Sequence, residues 1–157
     1  VITPVLLVDE LKDFIETVIR NYWLETKKPD LNKPPQVVTG YLPPKDPTRA
    51  EPDFPFLIIR LVEGTDAQEG ATVTVKIIVG TYSEDAQNGW RDVANIVQRI
   101  WVELFRRRVI GGRFRVEYPM KFELPEEQPY PEWIGVMTTV WTVAQPIVEE
   151  VFYGEGE

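Results

Sequence analysis

From Arg113 to Leu124 the chain alternates residue by residue. Phe114, Val116, Tyr118, Met120, Phe122 and Leu124 fall on one side. Arg113, Arg115, Glu117, Pro119, Lys121 and Glu123 fall on the other. A period of two sustained this long is the signature of a strand with one covered face, so the fold must contain a sheet and a layer packed on it. Pro119 has no backbone N–H to give to a ladder, which predicts an edge strand or a bulge at that point. A second alternation sets Val73, Val75, Ile77 and Val79 against Thr72, Thr74, Lys76 and Ile78. Before it, Phe56 to Glu63 is almost continuously apolar and reads as a strand covered on both faces. The turn from Gly64 to Gly70 joins these two into a long hairpin.

The covering layer is legible as two amphipathic helices. From about Val8 to Glu25, Leu11, Phe14, Ile15, Val18, Ile19 and Tyr22 recur at three- and four-residue spacing. Asp9, Glu10 and Asp13 are expected near the positive end of its dipole, and Pro29 ends the segment. The second helix is predicted from about Gln87 to Arg108, with Asp85 or Asn88 as cap. Trp90, Val93, Ala94, Val97, Ile100, Trp101, Leu104 and Phe105 mark its core face, and Gly111-Gly112 turns the chain after it.

Gln36 to Leu42 reads as one further short strand, and Trp133 to Ala144 as the last, entered through Pro125, Pro129 and Pro131. The expected order is α-β-ββ-α-ββ. That is an α+β fold with a mostly antiparallel β-sheet and two helices packed on it, in one domain over residues 1–157. Residues 43–55 hold five prolines and cannot form helix or central sheet. They read as a semi-rigid arm, either a surface loop or a reach toward a neighbouring subunit. The acidic tail at 147–157 is expected to be loosely held.

Composition bounds the chemistry. With no Cys and no His, disulfides, Cys-bearing zinc sites, His-ligated haem, Cys nucleophiles and Ser-His-Asp arrangements are excluded. No phosphate-binding glycine loop is present, since Gly111-Gly112 lacks the Lys and helix that should follow. Glu84-Asp85 and Glu126-Glu127 are adjacent acids in turns, the usual form of solvated surface charge rather than a glycosidase pair. No spaced acidic loop suggests calcium. The expectation is therefore no catalytic residues, no metal and no cofactor. No apolar run reaches membrane-spanning length, and Val1 to Val8 is short and lacks the basic flank of a secretory signal.

The net charge of −8 argues against a general nucleic-acid binder. Its distribution is uneven. Residues 91–115 hold seven Arg against Asp92 and Glu103, a local balance of +5 that leaves −13 on the rest. A basic face and an acidic face on one molecule suit head-to-tail docking, though a solvated helix end gives the same counts. Arg106, Arg107, Arg108, Arg113 and Arg115 are the candidate subunit interface. No aromatics are interleaved with them on the polar face as base-stacking partners. An edge strand from Arg113 would add free backbone groups for pairing between subunits.

The stretch VKIIVGTYSEDAQNGWRDVANIVQRIWVEL, Val75 to Leu104, preceded by PDFPFLIIRLVEG, resembles the tail terminator (tail completion) proteins of bacteriophages and prophages. The resemblance covers roughly residues 52–145 and the order of elements. It implies a structural homo-oligomer, a hexameric ring that caps the tail tube protein and faces the head–tail connector protein. Such a ring belongs to the virion, in the tail or neck, and assembles in the bacterial host cytoplasm. DNA passes through it without specific binding, and an acidic channel wall would let it slide. A different head–tail connector or neck adaptor would share these features. A carbohydrate-binding or glycan-active domain would instead draw on the tryptophans and acids.

Overall fold

The computed structural model describes residues 3–44 and 53–146. Most of the proline-rich arm (45–52) and the acidic tail (147–157) lie outside the described residues. The fold is α+β with a mostly antiparallel sheet, as the two periodicities require. The elements are α1 (Pro4–Ile19), β1 (Leu24–Glu25), β2 (Asn32–Lys33), β3 (Gln36–Thr39), β4 (Phe56–Ala67), β5 (Gly70–Tyr82), α2 (Trp90–Arg107), β6 (Val109–Ile110), β7 (Phe114–Glu123) and β8 (Glu132–Val143). The six-stranded sheet runs β3-β4-β5-β8-β7-β6, and β1 pairs with β2 apart from it. All pairings are antiparallel except β3 with β4.

Register explains the core. Val73 lies opposite Trp141, Val75 opposite Thr139, Ile77 opposite Met137, and Leu57 opposite Val79. All eight are buried, on the face that carries both helices. The intervening residues Thr72, Thr74, Lys76 and Ile78, with Ile134, Val136, Thr138 and Val140, are half-buried on the helix-free face. Thr139 Oγ1 donates to Val75 O at 2.7 Å and accepts from Trp141 Nε1 at 2.8 Å, so the polar atoms at the centre are paired. Gly135 lets α2 settle closely on β8, because a Cβ there would stand 2.5 Å from Val93 Cγ1.

Several elements depart from expectation. α1 starts four residues earlier than predicted, at Pro4, with Thr3 Oγ1 capping Leu6 N at 3.2 Å. Asp9, Glu10 and Asp13 therefore lie beyond its first turn, and the helix ends at Ile19, well short of Glu25. The expected turn from Gly64 is mostly strand: β4 continues to Ala67 and the hairpin turns at Gln68-Glu69. β4 is covered on both faces only from Phe56 to Ile59, and from Leu61 on it is exposed. α2 starts at Trp90, and Asp85 Oδ1 accepts from Gln87 N and Asn88 N, both at 3.0 Å, in the turn before it rather than at the cap.

Trp90 and Trp101 correct the predicted core face of α2. Each is 41% exposed, while Val93, Ile96, Val97, Ile100 and Leu104 are buried. Five buried residues within 100° or so of one another fill the contact with the sheet, and the larger indoles are left on its margins.

Candidate functional site

The sheet ends in two open edges, acidic around the β4–β5 turn and basic around the β6–β7 turn, while the open part of β7 itself carries Glu117 and Glu123 beside Lys121. On one side, β3 pairs with β4 only from Phe56 to Ile59, and Gly40 N donates to Ile59 O at 2.8 Å just beyond. Among the described residues no strand pairs with the outer side of Leu61–Ala67. This segment and its turn are exposed throughout 61–69. They carry Glu63, Asp66 and Glu69, and no basic residue occurs from Leu61 to Val75. Among the described residues its one lateral tie is from Gln145, whose amide donates to Asp66 Oδ1 at 2.9 Å and to Ala67 O at 2.6 Å.

On the other side, β6 covers β7 only at Phe114 and Arg115. Among the described residues no strand pairs with the outer side of Glu117–Glu123. Against β8, the register slips between Glu117 and Lys121, so Pro119 sits in a bulge on an edge, both of the places expected for it. The slip inserts two residues and so keeps the alternation: Val116 lies opposite Trp141 and Phe122 opposite Met137, both partners on the helix side. Only Phe114 and Val116 are buried, however. Tyr118 is 68% exposed and Phe122 47%. Tyr118 packs on Phe105 (ring centroids 4.8 Å) and Phe122 on Trp101 (5.8 Å), which gives this flank a strip of exposed aromatic surface.

The five arginines singled out from the sequence do not converge on one point. Arg108 is a structural hinge. At φ 65° it ends α2, its Nε donates to Val116 O at 3.1 Å, and its guanidinium lies 4.7 Å from the Tyr118 ring centre. Arg108 Nη2 and Arg115 Nε both reach Glu117, each at 3.8 Å. Arg106 turns back to Glu103 at 3.4 Å, and Arg107 lies toward α1, 5.5 Å from the Phe14 ring. Arg113, in the β6–β7 turn, makes no ion pair among the described residues. These ion pairs are long, at 3.4 to 3.8 Å, and contribute little to stability.

Between the helices an open groove of about 470 Å³ is lined by Glu10, Asp13, Phe14, Arg99, Glu103 and Arg107, among others. Among the described residues Glu103 Oε2 has no hydrogen-bond partner and meets Arg106 and Arg99, the latter at 3.7 Å. Elsewhere, burial raises the Asp92 carboxyl above its ordinary range. Burial first, and then the nearby Glu84 carboxylate, raise the Tyr82 phenol. The Tyr82 hydroxyl donates to Glu84 Oε2 at 3.2 Å. Among the described residues no three acidic side chains are grouped to hold a metal, and no helix is long and apolar enough to cross a membrane.

The sequence marks the arginines and the edge strand, but the acidic segment of β4 and the aromatic strip emerge only in the fold. The run without a basic residue from Leu61 to Val75 was the available signal for the first. For the second, it was the excess width of the apolar arc on α2, which a single sheet contact cannot cover. The chain matches no protein-family model, and no curated protein matches it.

Proposed function

We propose that this protein is a structural subunit that assembles head to tail into a ring on a phage tail, in the manner of a tail terminator. The observation that carries the reading is the pair of open sheet edges, acidic at the β4–β5 turn and basic at the β6–β7 turn, on opposite sides of one sheet. A patch that is not complementary to itself, but is complementary to a different patch on the same molecule, makes a heterologous contact. Such contacts close into rings when the rotation between subunits allows it.

Orientation favours closure. The acidic turn at Gln68-Glu69 and the basic turn at Gly111-Gly112 lie at the same end of the sheet, since Ala71 lies opposite Val143 and Thr142 lies opposite Arg115. Neighbours can therefore stand side by side with the same end up. The resemblance to tail terminators supplies the rest: a ring of six, the tail tube protein on one side, the head–tail connector protein on the other, and DNA passing through without specific binding. The helix-free face carries both signs of charge rather than an acidic surface: Arg60, Lys76, Arg115 and Lys121 stand on it with Glu63, Glu117 and Glu123.

Light scattering across protein concentration and salt tests the reading. The expected result is a species of about six subunits that dissociates as ionic strength shortens the Debye length below about 10 Å. A monomer at every concentration and salt level would contradict it. Adding the ring to the polymerising tube protein of the same phage then separates a terminator, which stops elongation, from a neck adaptor, which does not.

A further inference from the structure

The free segment of β4 and the free segment of β7 match in length and direction, and we infer that they pair directly, strand to strand, between adjacent copies of this chain. This rests on the ring reading and specifies its interface. Each free segment spans seven residues, Leu61–Ala67 and Glu117–Glu123. With neighbours standing the same end up, β4 of one copy runs opposite to β7 of the next, because successive strands β4, β5, β8 and β7 alternate in direction. The new pairing would thus be antiparallel, like the pairs that flank it, and would satisfy backbone groups now left open on both sides.

Faces and charges select a register. Glu63 lies opposite Thr74, and Lys121 lies opposite Thr138, so both belong to the helix-free side of their own sheet. Directly opposed residues of an antiparallel pair share a face, so Glu63 can stand across from Lys121 of the next copy. The same register brings Ala67 beside Glu117, and so carries Asp66 and Glu69 toward Arg108 and Arg115 of the neighbour. Those arginines would gain two further carboxylates for the one, Glu117, that they now share. On the helix side, Leu61 (40% exposed) comes next to Phe122 (47% exposed), so each covers the other's open apolar surface. Pro119 withholds one donor, and the bulge there leaves the middle of the contact less regular than its ends.

A chain with no native cysteine allows a clean test. Antiparallel neighbours bring Cα atoms to about 4.5–5.5 Å, within disulfide range. Under mild oxidation, Glu63→Cys/Lys121→Cys should give a ladder of linked species on a non-reducing gel, ending at the ring size. Either single variant alone should give none. Linked dimers from Lys121→Cys alone would overturn the pairing, because they require β7 to meet β7. Absence of a ladder while light scattering of the reduced double variant still finds the ring would also overturn it, and would leave the ring itself standing. A monomer by light scattering in both the native chain and the variants would remove the pairing and the ring together.

Discussion

The centre of the sheet and its two edges are made from similar residues but are finished differently. Along β5 and β8 every inward position meets a partner: Val73 with Trp141, Ile77 with Met137, and Thr139 with the Val75 carbonyl. Along the outer halves of β4 and β7, leucine, valine, tyrosine and phenylalanine are exposed beside unpaired backbone. Isolated proteins usually protect such edges with short strands, charges or covering loops. Here the turns that end the two edges carry opposite charge instead, acidic at β4–β5 and basic at β6–β7, which favours unlike edges over like ones. The centre specifies the fold, and the edges specify a neighbour.

The sharpest contrast comes from deleting a large side chain in each region. Trp141→Ala, at the fully buried centre, should cost about 3–5 kcal/mol and lower the denaturation midpoint accordingly. Gly135→Ala, which pushes a Cβ against Val93, should cost about 1–3 kcal/mol by the same urea titration. Thr81→Val should run the other way. The Thr81 hydroxyl is fully buried without a hydrogen bond, so a shape-matched apolar side chain should stabilise by about 1 kcal/mol. Phe122→Ser sits at the edge and should change the stability of the dissociated subunit by no more than about 1 kcal/mol, yet raise the concentration at which rings form. If Phe122→Ser destabilised the subunit as much as Trp141→Ala, the distinction between centre and edge would fail.

The smallest effect lies in the first turn of α2. The Asp92 carboxyl is raised in the folded state, so folding disfavours its charged form, and that cost is present above the folded pKa. Asp92→Asn should therefore slightly raise stability at pH 7. The advantage should shrink as pH falls through the folded pKa and be gone below the ordinary carboxylate value of about 3.9. Thermal midpoints at pH 7 and pH 3 would show it.

Much of the centre was legible in the sequence because packing leaves a period. Val73–Val79 gave β5 its face, the 3.6-residue spacing gave both helices, and Pro119 marked a bulge on an edge. What the pattern concealed was where covering stops. Phe56–Ala67 is one strand, but its apolar run and its exposed half differ in partners, which are set by β3's short reach and not by local sequence. Trp101 looked like core because it extends the apolar face of α2, yet Val93, Ile96, Val97, Ile100 and Leu104 already fill the contact. Arg108 looked like one of five surface arginines and proved to fasten the end of α2 to β7. That role depends on a backbone turn that composition does not encode.

The most direct test of complementary edges is a charge exchange. One variant reverses the acidic edge (Glu63→Lys, Asp66→Lys, Glu69→Lys) and a second reverses the basic one (Arg113→Glu, Arg115→Glu, Lys121→Glu). Each alone presents two edges of like charge and should stay monomeric by light scattering at low salt. An equimolar mixture should recover rings of alternating subunits, because each variant's altered edge then meets its opposite. Rings formed by either variant alone, or a mixture that stays monomeric, would contradict the account.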